Sequence, residues 1–205
     1  RGPDGAADAL ARSDEAVGAL VEAAGALDEL LDRYALVVMS DHGQTRVERV
    51  ARLERRYADV PGALVTASNR AAMVYRLPGC APDVRALAER LDAEPAAGVV
   101  LFREGGEAVA RREGEELRFA PEGEGWRLAG DASILDQPDA PARAWAALAN
   151  PNAGEVLVSA APGWEFADLG GRHHLGGGSH GSLERGDSEV PLLTVGVEGE
   201  PAGIV

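Results

Sequence analysis

Residues 35–39 read Ala-Leu-Val-Val-Met, a short unbroken apolar run, and Ser40-Asp41-His42-Gly43 ends it at once. A run of this kind suits a strand covered on both faces. Upstream, Leu10, Val17, Leu20, Val21, Ala24, Leu27, Leu30 and Leu31 recur at three- and four-residue steps, which predicts an amphipathic helix over 6–31. Pro3 and Asp4 suit its first turn, and Gly18 and Gly25 weaken its interior. Helix, buried strand, then polar residues at the strand's carboxyl end is the grammar of an open α/β sheet, where ligands sit beyond those ends. The same grammar returns at 155–159 and again at 190–197.

The middle of the chain reads differently. Short strands are predicted at 63–66, 72–76, 99–102, 108–110, 117–119 and 126–128, with helices over 82–91 and 139–148. Turn-rich segments such as Glu104-Gly105-Gly106 and Pro121-Glu122-Gly123 join the strands, which favours an antiparallel α+β subdomain over further βαβ units. The expected organisation is a core α/β segment over 1–60, an inserted cap-like α+β subdomain over 61–153, and a return to the core over 154–205.

Composition removes several classes of function. At 205 residues, with 45% hydrophobic and 26% charged residues, the chain is long enough and apolar enough to bury a core. Its net charge of −14 would repel nucleic acid and anionic membranes, so neither is expected as a partner. Every cation is arginine; without lysine there is no Walker-type phosphate loop and no Schiff-base chemistry. Cys80 is the single cysteine, which rules out an internal disulfide and a Cys-rich zinc site. No apolar run approaches the roughly 18–20 residues of a membrane span. The sequence opens on Arg1 rather than Met, so a longer parent protein is expected, and the compartment is not legible.

All four histidines fall in two short segments, His42 after the first core strand and His173, His174 and His180 in the glycine-rich loop 170–181. A carboxylate and an imidazole adjacent at a strand end can turn toward one point where Gly43 permits the bend, and oxygen with nitrogen suits zinc, manganese or iron. The same tripeptide also makes an ordinary polar turn. A zinc site of His173, His174 and His180 is an alternative with no regular ligand spacing behind it. Arg172 reads either as a phosphate contact or as an exposed loop arginine. There is no Gly-x-Ser-x-Gly elbow and no His-Glu-x-x-His, so a serine esterase and a zincin lack their signatures.

Residues 36–43, Leu-Val-Val-Met-Ser-Asp-His-Gly, and 178–182, Gly-Ser-His-Gly-Ser, resemble two metal-ligand motifs of the alkaline phosphatase superfamily, nearest its type I phosphodiesterase/nucleotide pyrophosphatase branch. Arg1-Gly2-Pro3 is similar to the tail of a family segment preceding a long helix, and Asp187 to Leu192 to the segment entering the last core strand. The resemblance covers roughly residues 1–45 and 155–197 and implies an alkaline-phosphatase-like α/β/α core, partial here, with an inserted α+β subdomain. It implies that Asp41 and His42 hold one of two divalent cations, Zn²⁺ or Mn²⁺, and His180 the other. It also implies in-line attack on a small-molecule phosphate ester, through a nucleophile and further ligands that would precede Arg1. By the same likeness the chain's partner is the N-terminal half of its own domain, and alone it should bind metal weakly and not turn over. Ser40, Thr45 and Ser182 lie beside the motifs, and the resemblance gives none of them the nucleophile's role. Other activities sharing these ligands are phosphomonoester, phosphonate and sulfate-ester hydrolysis and phosphomutation. A non-catalytic binding domain with relic motifs is the alternative from another class.

Overall fold

Val99 and Leu101 point to one side of a strand and Val100 and Phe102 to the other, and all four are buried. That alternation with no exposed face requires cover on both sides, and the computed structural model, which describes residues 6–137, 139–197 and 199, supplies it. Seven strands form one antiparallel sheet: β4 (Ala63–Ser68), β5 (Ala71–Arg76), β6 (Ala97–Glu104), β7 (Glu107–Arg112), β8 (Glu115–Glu122), β9 (Gly125–Gly130) and β10 (Val156–Ala160). Their spatial order is β4-β5-β10-β6-β7-β8-β9. Helix α3 (Val84–Asp92) buries Leu87, Ala88 and Leu91 against the Val100/Phe102 face, and Asp83 caps it by accepting from the Ala86 N–H at 2.8 Å. On the opposite face, helix α4 (Ala140–Ala149) packs Ala140 and Ala144 against Leu101, Leu117 and Phe119.

The two apolar runs exchange the roles expected of them. Strand β10, read as a return to the core, is buried at all five residues because it runs between β5 and β6 in the middle of the antiparallel sheet. The boundary placed at 153/154 therefore falls inside one hydrogen-bonded sheet. The first run forms β1 (Leu36–Met39), which pairs antiparallel with β13 (Leu192–Val195) alone, Leu36 opposite Val195. Along β1 Leu36 and Val38 are half-buried while Val37 and Met39 are exposed, so β1 is covered on one face only. An unbroken apolar run reports strong burial but not which sheet provides it.

The helix predicted over 6–31 is two helices, α1 (Ala7–Ala23) and α2 (Leu27–Leu31). Gly25 separates them at φ +106, a conformation glycine alone adopts without strain, and a Cβ there would lie 2.0 Å from Glu29 Oε2. The readings of Arg1, Pro3 and Asp4 lie outside the described residues. Small pairings connect the remaining pieces. Strand β2 (Thr45–Arg46) pairs with β12 (Gly178–Ser179), and β3 (Arg49–Ala51) runs parallel to β11 (Trp164–Phe166). No helix among the described residues is long and apolar enough to cross a membrane.

Candidate active site

The register Thr45↔Ser179 and Arg46↔Gly178 lays the segment after Asp41-His42-Gly43 against the end of the glycine-rich loop. As a result the imidazoles of His42 and His180 stack, ring centroids 3.6 Å apart and planes within 10°. His42 Nδ1 lies 2.8 Å from the Gly43 carbonyl, which can only accept, so Nδ1 carries a proton. Its Nε2 stands 3.5 Å from Asp41 Oδ1. A proton on Nε2 or a shared cation would each join the two groups. Two ligands of one tetrahedral zinc ion, bound at about 2.0–2.1 Å, stand about 3.4 Å apart, so the observed gap has the right size.

His180 is held from the other direction. The Asn69 side-chain amide donates to His180 Nε2 at 3.2 Å, and the Arg70 N–H donates to the His180 carbonyl at 3.0 Å. Asn69 and Arg70 form the two-residue turn between β4 and β5, with Asn69 at φ +55, a left-handed conformation that asparagine tolerates better than most residues. A hairpin of the expected insertion thus reaches the strand-end histidines. The pattern Ser68-Asn69-Arg70 between two strands marks a turn, but nothing in it points toward His180.

Asp187 joins the two histidine segments. Its Oδ1 accepts from Thr45 Oγ1 at 2.5 Å and from Arg70 Nη1 at 2.7 Å, and its Oδ2 accepts from the Ser182 N–H and hydroxyl at 2.8 and 2.6 Å. The Asp187 carbonyl also accepts from the Gly43 N–H at 2.9 Å. Both charged partners are buried, and Arg70 also donates from Nε to the Trp164 carbonyl and from Nη2 to the Ala161 carbonyl, so each guanidinium nitrogen has a partner. Thr45 and Ser182 therefore fix the frame through Asp187. Ser40 bonds the His42 carbonyl at 2.7 Å.

The rest of the loop is organised by Glu165. This buried carboxylate accepts from His174 Nδ1 at 2.6 Å, from the His174 N–H at 2.5 Å and from Ser179 Oγ at 2.8 Å. Burial pushes its pKa up, but these hydrogen bonds prevail and hold it below its ordinary value. His174 is thus committed to Glu165, while His173 and Arg172 are exposed. A zinc site of His173, His174 and His180 does not form, and among the described residues no three His, Cys, Asp or Glu side chains are placed to hold one metal ion. The ligands that the resemblance implies, Asp41 and His42 for one ion and His180 for the other, are fewer than the three or four protein ligands a zinc ion takes.

The family model of type I phosphodiesterase/nucleotide pyrophosphatase matches residues 2–183, most of the chain. The chain belongs to that family. Its fold is similar to that of phosphonoacetate hydrolase from Sinorhizobium meliloti 1021, solved in complex with phosphonoformate and with phosphonoacetate, at TM-scores of 0.52 and 0.51 and 19% identity. Each match covers 82% of this chain and 38% of the other, so the chain spans well under half of that enzyme's length. No curated protein matches it. The α/β fold is therefore alkaline-phosphatase-like and represented in part.

Proposed function

We propose that the chain supplies the C-terminal part of a two-metal phosphate-ester hydrolase acting on a small-molecule phosphodiester or pyrophosphate. The observation that supports this is the convergence of the residues: the His42 and His180 rings stack 3.6 Å apart, and Asp41 Oδ1 stands 3.5 Å from His42 Nε2. Asp41 and His42 would hold one divalent cation, Zn²⁺ or Mn²⁺, and His180 the other. Such ions, when bound, stabilise charge on phosphoryl oxygens and activate an oxygen nucleophile. The chain's own residues set the frame. Gly43 fixes the His42 tautomer, Asp187 ties the two segments to Arg70, and Asn69 holds the His180 ring. Local positive charge from two ions offsets the net −14 at contact distance, so an anionic substrate remains compatible with this chain.

Further ligands and the nucleophile would come from the remainder of the family domain. Exposed apolar side chains suit its docking: on the β1/β13 ribbon Val37 and Met39 lie on one face and Leu193 and Val195 on the other, and Leu10 and Leu20 are exposed on α1. The chain alone is then inactive. The test is hydrolysis of bis-p-nitrophenyl phosphate with Zn²⁺ or Mn²⁺, for the chain alone and joined to an upstream family segment. Activity is expected only in the joined protein and is lost in Asp41→Ala and His180→Ala. Activity indifferent to both changes would remove the assignment. The likeness to phosphonoacetate hydrolase favours phosphonate cleavage as the second reading, and phosphonoacetate in the same assay decides between them.

A further inference from the structure

Residues 46–56 contain five arginines, Arg46, Arg49, Arg52, Arg55 and Arg56, against two acids, Glu48 and Glu54, a local reversal of sign in a chain of net charge −14. The β3/β11 ladder and the 3-10 turn Leu53–Tyr57 bring part of this segment to the wall of a cleft of about 630 Å³. That volume lies within the roughly 300–1,000 Å³ of small-molecule sites. Arg52, Arg55, Arg56 and His173 line it, with Trp164 as an apolar wall and Glu94 as its one carboxylate.

The cationic charge there is only partly neutralised from within. Glu94 is engaged by Arg56 Nε at 3.0 Å. Arg52 meets Glu54 at 3.6 Å, too long for a hydrogen bond, and both side chains are more than a third exposed, so solvent screens the pair. The Arg55 guanidinium has no ion-pair or hydrogen-bond partner among the described residues. Arg49 stacks on Trp164, 4.8 Å from the ring centroid, which adds a further cation behind the wall. Guanidinium groups gathered on one concave surface repel one another, and a multiply charged oxyanion relieves that repulsion while meeting their planar donor forks.

We propose that this cleft is a metal-independent binding site for a diphosphate-type oxyanion, separate from the Asp41/His42/His180 centre. It borders the loop carrying His180: His173 lines the cleft, and Glu165, next to Trp164 on β11, clasps His174 and Ser179. The proposal does not require the metal reading, and its test is run without metal.

Isothermal titration of the full chain with sodium pyrophosphate, in low-salt buffer stripped of metal by resin, should show saturable binding. Arg52→Gln/Arg55→Gln should weaken it at least roughly tenfold, while His180→Ala and the surface control Arg127→Gln leave it unchanged. Thermal melts verify folding, and Arg55→Glu alone serves if the double variant fails to fold. No saturation up to about 10 mM, binding indifferent to the arginine changes, or binding lost in His180→Ala would each overturn the proposal.

Discussion

Arg70 and Asp187 form a buried ion pair, Nη1 to Oδ1 at 2.7 Å, that fastens the β4–β5 hairpin to both histidine segments. Removing one partner leaves the other charged and desolvated, whereas removing both leaves no buried charge. Asp187→Ala should therefore cost about 3–5 kcal/mol in urea unfolding, and Asp187→Ala/Arg70→Met should be more stable than the single variant. A double variant as unstable as the sum of the singles would show that the pair acts through its separate hydrogen bonds.

Gly43 sits where no side chain fits. A Cβ there would lie 2.0 Å from the Gly186 carbonyl oxygen and 3.0 Å from that of Glu189, both backbone atoms that cannot swing aside. Gly43→Ala should destabilise the chain by about 2 kcal/mol or more and separate the His42 and His180 rings. Imidazole resonances in NMR spectra report the stacking directly, and unchanged ring shifts would refute the expectation.

The sequence made the middle strands legible because each has an alternating or unbroken apolar run bounded by glycine-rich turns, as in 97–130. It singled out Asp41, His42 and His180 through two short motifs, and the fold brings the two imidazoles into contact. What it could not show was sheet membership: Leu36–Met39 and Val156–Ala160 both begin with three residues of leucine and valine, and only their neighbours decide which is buried on both faces. Asn69, Arg70 and Glu165 also escape notice, and Asp187 reads only as part of the segment entering the last core strand. Each acts through a partner distant in sequence, and a lone polar residue carries no local signal of such a bond.

Asn69 offers a direct probe of the candidate centre. Its amide donates to His180 Nε2 at 3.2 Å, the nitrogen a cation would otherwise use. Asn69→Asp replaces that donor with a carboxylate, and aspartate also tolerates the left-handed backbone at this turn. Zn²⁺ affinity measured by competition with a chromogenic chelator should rise about tenfold, the worth of roughly 1.4 kcal/mol from one added ligand. Affinity unchanged or reduced would place any metal away from His180.

Glu165 predicts an acid-sensitive loop. Burial raises its pKa, but the bonds from His174 and Ser179 lower it further, so the folded value lies below the ordinary 4.5. A depressed carboxylate contributes stability that is fully present above its unfolded pKa and disappears as pH falls through the folded one. Glu165→Gln should therefore cost about 1–3 kcal/mol at pH 7, and the gap from wild type should close as pH drops below about 4.5. Denaturant titrations at several pH values check this; a constant gap would assign the effect to packing.

Leu193 separates stability from assembly. Its side chain is 65% exposed on the β1/β13 ribbon, so Leu193→Asp removes little buried area and should change the stability of the isolated chain by no more than about 0.5 kcal/mol. If the remainder of the family domain packs on this ribbon, the same substitution buries an unpaired carboxylate in the contact. Mixing the chain with an upstream family segment and measuring phosphodiesterase activity should then show wild type reconstituting and Leu193→Asp losing most of that activity. An exposed control far from the ribbon, Arg127→Gln, should reconstitute normally, because its ion pairs with Glu107 and Glu122 lie at the edge of the seven-stranded sheet. Equal reconstitution by Leu193→Asp would move the docking surface elsewhere while leaving the metal ligands untouched.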